Sequence, residues 1–161
     1  MLSQLLAMSM ILAGLSQQAA QPPPSAASAP AEAVAPALFP TQAPPSDAEL
    51  GGLTVYPTAD FLTSYDAGRG QRYYLFGCTT GYAELVAYYR TLLRTRGTEV
   101  YEQPPTYIFE VGRYDENRMA FPPSITLKDY TWGGLEGYLN PKPGASPARY
   151  PTIIQVVPPP R

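Results

Sequence analysis

Proline and aromatic residues split this chain in two, and the split limits where a core can form. Of its 20 prolines, Pro22, Pro23, Pro24, Pro30, Pro36, Pro40, Pro44 and Pro45 precede residue 49. Only Phe39 represents the aromatics there, whereas Trp132 and all 13 tyrosines follow. Proline fixes φ and removes a backbone donor, and aromatic rings supply much of the area a core buries. The sequence therefore predicts one folded domain over 49–161, behind a segment that lacks core-forming side chains. A domain of that size buries about 65% of the surface its unfolded chain exposes, enough for one ordinary core.

Charge follows the same division. Residues 1–48 hold Glu32 and Asp47 and no Lys or Arg, so the other 11 acidic residues balance all 11 basic ones. The predicted domain carries a formal net charge of zero and has no general attraction for nucleic acid or an anionic membrane. A single cysteine, Cys78, excludes an intramolecular disulfide and a cysteine-based zinc site. Histidine is absent altogether. That removes the commonest general base, metal ligand and pH switch together, and no cofactor is expected.

The opening residues, MLSQLLAMSMILAGLSQQAA, read as a cleaved signal peptide over 1–20. The apolar run at 5–15 fits its central region and falls short of the ~20 residues needed to span a bilayer. Cleavage after Ser16 competes with cleavage after Ala20. The LAGLS stretch lacks the cysteine of a lipoprotein, so no stable membrane insertion is expected after cleavage. Residues 21–48, rich in Pro and Ala, predict a disordered, partly polyproline linker. The product is expected to be exported, to the periplasm or beyond the cell.

Within the domain, residues 53–57 and 60–66 read as extended, Ala67 to Gly70 as a turn, and 71–77 as the returning strand of a hairpin. The one helix runs from about Tyr82 to Arg96. Tyr82, Leu85, Val86, Tyr89, Leu92 and Leu93 form its apolar stripe. Thr79 or Thr80 is expected to cap it and Gly97 to stop it. Residues 98–102, 107–111, 124–130 and 152–157 read as strands, with a long Gly/Pro-rich stretch from Trp132 to Pro151 between the last two. The predicted fold is α+β: one amphipathic helix packed on an antiparallel sheet of about five or six strands.

The segments YPTADF, RYYLFGCTT, ELVAYYRTLLRTRG, MAFPPSITLKDYTWGG and YPTIIQVVP, in that order, resemble a family of exported, Acidobacteria-like bacterial proteins. The resemblance spans most of 53–158. It implies an envelope domain and assigns no activity and no functional residue.

Chemistry-bearing groups are sparse. Cys78 stands before the helix, where a helix N-terminus lowers a thiol pKa, yet no histidine is present to pair with it. A small buried side chain is the favoured reading. The carboxylate pairs Glu99 with Glu102 and Asp115 with Glu116 are candidates for glycoside hydrolysis. Clustering of Asp115, Glu116, Glu136 and Arg118 around one cleft would favour an enzyme, and dispersal would disfavour it. The segment 130–142 concentrates Tyr130, Trp132 and Tyr138 with Glu136 among Gly133, Gly134, Gly137 and Pro141. Aromatics on such a loop stack on sugars or anchor protein partners, or else fold back onto the core. Tyr88, off the helix stripe, is expected to be exposed and is a secondary surface candidate. The expected function is a non-enzymatic cell-envelope binding domain whose partner is a protein or a glycan. The alternatives are a carboxylate-based hydrolase and a subunit that self-associates through a sheet edge.

Overall fold

The computed structural model describes residues 42–160. The expected signal peptide and the linker as far as residue 41 lie outside the described residues. Six strands form one antiparallel sheet: β1 (Asp60–Gly68), β2 (Gln71–Cys78), β3 (Gly97–Tyr101), β4 (Thr106–Val111), β5 (Ser124–Asp129) and a last strand, Thr152–Val157. Two short strands, β6 (Tyr138–Leu139) and β7 (Arg149–Tyr150), pair within the excursion between β5 and that last strand, which is therefore β8. The sheet order is β1-β2-β8-β5-β4-β3, so the chain's final strand lies in the middle. The α+β architecture read from the sequence is the observed one.

Alternation builds the core. Tyr74, Phe76 and Cys78 of β2, Ile154 and Val156 of β8, Ile125 and Leu127 of β5, and Tyr107 and Phe109 of β4 bury one face. Helix α1 (Tyr82–Leu93) covers that face with Leu85, Val86, Tyr89 and Leu93. Leu50 and Leu53, on the segment leading into β1, complete the cluster. The Tyr89 hydroxyl accepts from the Tyr56 N–H at 3.0 Å and donates to the Thr54 carbonyl at 3.3 Å, so residues 53–57 form an anchored loop instead of the expected strand.

Other local expectations also need correction. Gly81 is the helix N-cap, with no side-chain cap bond, because Thr79 and Thr80 remain in the connection from β2. The helix closes at Leu93, and Gly97 opens β3. Leu92, at 38% exposure, leaves the stripe. The packed unit also begins before residue 49. The Gln42 side-chain amide accepts from the Ser64 N–H at 2.7 Å and donates to its carbonyl at 3.4 Å, as a peptide of a neighbouring strand would.

The β1–β2 hairpin turns on Arg69 and Gly70, with φ of 52° and 74°. Two consecutive positive φ values match the right-handed twist of the flanking strands. Arg69 accepts this uncommon conformation while its guanidinium donates to the Met119 carbonyl at 3.3 Å and to that of Glu116. Both sheet edges are interrupted: β1 has two register irregularities and β3 has one. Irregular edges oppose strand-to-strand association.

Candidate functional site

The second face of the sheet lies opposite the helix, and two excursions partly cover it. Gly77, Leu75, Tyr73 and Gln71 of β2 point to this face, as do Ile153 and Gln155 of β8, by the same alternation that buries their neighbours.

The excursion at 130–150 covers the Gly77 end. Tyr150 is 2% exposed and lies over Gly77 so closely that a Cβ there would stand 2.5 Å from two ring carbons. Only glycine admits the ring. The Tyr150 hydroxyl donates to Asp60 Oδ2 at 2.9 Å and accepts from Asn140 Nδ2 at 3.0 Å. Burial, followed by the adjoining Asp60 carboxylate, pushes its pKa up to about 12. Asn140 is itself buried and also donates to the Pro147 carbonyl at 2.9 Å. Tyr130 and Tyr138 meet edge to face at 5.1 Å and pack with Leu75 against Leu62, Tyr150 and Ile153.

This anchoring separates the candidate residues. Tyr130 and Tyr138 fold back onto the sheet. Trp132 sits on a single 3-10 turn (Trp132–Gly134) and is 54% exposed; Leu135 and Leu139 are 63% and 62% exposed. Leu139 and its partner Arg149 face away from the Tyr138–Tyr150 side of the small ribbon. Glu136 is also exposed and pairs with Arg149 at 3.2 Å. Tyr88, expected to be exposed, is instead half-buried between Tyr56 and Tyr89, with ring centroids at 4.9 and 5.1 Å. Residue 56 comes from the loop that precedes β1, a contact that helical periodicity does not report.

The opposite end is closed by the loop between β4 and β5. Gln71, 1% exposed, accepts from the N–H groups of Ala120 at 2.6 Å and Phe121 at 3.0 Å. Its amide donates to the carbonyls of Phe121 at 3.0 Å and Pro158 at 3.2 Å. All its donor and acceptor positions are used. Sequence reasoning missed both Gln71 and Tyr150. An isolated Gly77 within a strand was the available signal for the second, since it marks a close approach.

The carboxylates disperse. Asp115 and Glu116 precede the start of β5 and Glu136 follows its end, with a strand of roughly 17–20 Å between. Glu99 and Glu102 both pair with Arg90 at 3.1 Å, in a clasp joining the helix to the β3 edge. The Tyr107 hydroxyl donates to Glu99 and accepts from Arg90, whose guanidinium carbon lies 5.1 Å from the Tyr107 ring centre. The Tyr107 hydrogen bond, then Arg90, hold the Glu99 carboxyl below its usual range. A glycosidase acid needs the opposite shift.

Cys78 is fully buried at the end of β2. Among the described residues, no group of three His, Cys, Asp or Glu side chains is placed to hold a metal. No described helix is long and apolar enough to cross a membrane. No protein-family model, curated protein or solved structure matches the chain.

Proposed function

We propose that this is an exported, non-enzymatic binding domain whose 130–150 excursion docks a protein of the cell envelope. The observation that carries the reading is a contrast within one segment. Tyr150, Asn140, Tyr130 and Tyr138 fix the excursion to the sheet, while Trp132, Leu135 and Leu139 stand more than half exposed. Large apolar side chains held on a fixed backbone contribute contact area with little ordering cost on binding. The neighbouring Glu136–Arg149 pair supplies a polar rim of both signs. Export rests on the signal-like residues 1–20.

The carboxylate-hydrolase alternative loses support from the dispersal of Asp115, Glu116 and Glu136 and from the depressed Glu99 carboxyl. Self-association through a sheet edge is opposed by the irregularities in β1 and β3.

The test is a crosslinking capture from native envelope extract, with the full chain as bait beside a Trp132→Ala, Leu135→Ser, Leu139→Ser version. These side chains are exposed, so the variant is expected to keep the native circular dichroism spectrum. One partner captured by the wild type and lost by the variant supports the reading. Equal capture by both, or capture of nothing specific, rejects it.

A further inference from the structure

Between the two excursions the second face stays open. There the sheet floors a trough of about 430 Å³, within the roughly 300–1,000 Å³ range of small-molecule sites. Its chemistry differs from that of the Trp132 surface. Thr126 of β5 lies opposite Gln155 of β8, and Ser124 of β5 lies opposite Glu110 of β4. Facing strands are about 5 Å apart and alternate residues about 7 Å, so four polar groups occupy the corners of a small parallelogram.

Among the described residues, none of these four side chains has a hydrogen-bond partner or an ion pair. Ser124 and Thr126 are 9% and 7% exposed, and among the described residues no protein group bonds their hydroxyls, which open onto the trough. Tyr73 contributes a ring to the lining, and Phe121, 51% exposed, provides an aromatic rim. Three bonds between Gln71 and the backbone of Ala120 and Phe121 fix the segment that carries that rim.

We infer that this trough binds a short neutral oligosaccharide, with Glu110, Ser124, Thr126 and Gln155 bonding its hydroxyls and Tyr73 and Phe121 contacting its ring faces. Among the described residues, Glu110 is the only charged residue that lines the trough; Lys128, two residues beyond Thr126 on the same face of β5, lies outside the lining. A phosphate, a nucleotide or a carboxylate-bearing ligand seated in this lining would meet the Glu110 carboxylate with no lining cation to offset it. A purely apolar ligand would strand four polar groups. A neutral sugar avoids both penalties: its hydroxyls donate to Glu110 and the Gln155 carbonyl, and accept from Ser124, Thr126 and the Gln155 amide. Its apolar ring faces suit aromatic walls. The site is separate from the Trp132 surface, and each stands or falls without the other.

Isothermal titration of the full chain with cellotriose, chitotriose and maltotriose tests the inference, with trilysine as the cationic control. At least one trisaccharide is expected to bind. Thr126→Val, which removes a hydroxyl at constant shape, and Phe121→Ala, which removes an exposed ring, should each weaken it about tenfold. Trp132→Ala should leave it unchanged. Circular dichroism confirms the fold of each variant, and Phe121→Ala keeps the test open if the buried Thr126 variant is unstable. Absence of binding by all three sugars at millimolar concentration overturns the inference. So does binding indifferent to the trough variants. Loss in Trp132→Ala would move the sugar to the excursion, and trilysine binding alone would make the site a cation site; either result rejects the assignment.

Discussion

Replacing Gly77 by alanine should loosen the whole 130–150 excursion, and the size of the effect follows from the geometry. The added Cβ would stand 2.5, 2.5 and 2.7 Å from three ring carbons of Tyr150. Carbon atoms pack at about 3.5–4.0 Å, so the ring must retreat by about 1 Å. Its hydroxyl then leaves Asp60 and Asn140, now at 2.9 and 3.0 Å. Overpacking costs about 1–3 kcal/mol, and the lost bonds, one of them to a carboxylate, add about 1.5–3 kcal/mol. A total of about 2.5–6 kcal/mol is expected, against about 6–18 kcal/mol for a domain of this length. Gly77 does not have a positive φ, so backbone strain adds nothing. Tyr150→Ala alone should cost a similar ~3–5 kcal/mol. In that background the new methyl meets empty space, and Gly77→Ala should cost less than about 0.5 kcal/mol. Denaturant unfolding of the wild type, both single variants and the double variant completes the cycle. Additive costs, within about 0.5 kcal/mol, would refute the close-packed Tyr150 bolt.

Other outcomes follow from the same contacts. Gln71→Leu should cost about 2–4 kcal/mol in denaturant unfolding, because the Ala120 and Phe121 N–H groups lose their acceptor. In alkaline titration followed by tyrosinate absorbance, Tyr150 should ionise only near pH 12. Its raised folded pKa gives stability fully present below about pH 10 and lost as pH rises towards 12. Glu99 is shifted downwards, so its contribution is present above the ordinary carboxylate range and lost as pH falls through the folded value. Arg90→Met should therefore raise the pH of acid unfolding. The Cys78 thiol should react with a disulfide reagent only after denaturation, since it is fully buried.

Local patterns exposed much of the fold. Alternation in 124–130 located β5, the i, i+3, i+4 spacing of Leu85, Val86 and Tyr89 located the buried side of α1, and tyrosine-rich segments around a Gly turn located the first hairpin. Strand order was hidden. It depends on β8 entering between β2 and β5, a pairing of residues far apart in the chain that no periodicity encodes. The trough was hidden for the same reason. Ser124 and Thr126 mark a polar strand face in the sequence, but their juxtaposition with Glu110 and Gln155 needs the register of three strands. Within 130–142 the composition pointed to a loop of interest without separating its aromatics. Tyr138 packs because its β6 position faces Leu62 and Ile153, whereas Trp132 precedes the ribbon and stays outside. Gln71 escaped notice because a buried glutamine has no local signature; its partners lie about fifty residues or more away.

The most direct test of the binding reading uses the single tryptophan. Full chain carrying 5-fluorotryptophan presents one fluorine resonance, from Trp132 alone. Added detergent-solubilised envelope fraction should shift or broaden that resonance, and the Leu135→Ser, Leu139→Ser variant should respond weakly. A resonance unchanged at saturating envelope protein would contradict the excursion as a docking surface.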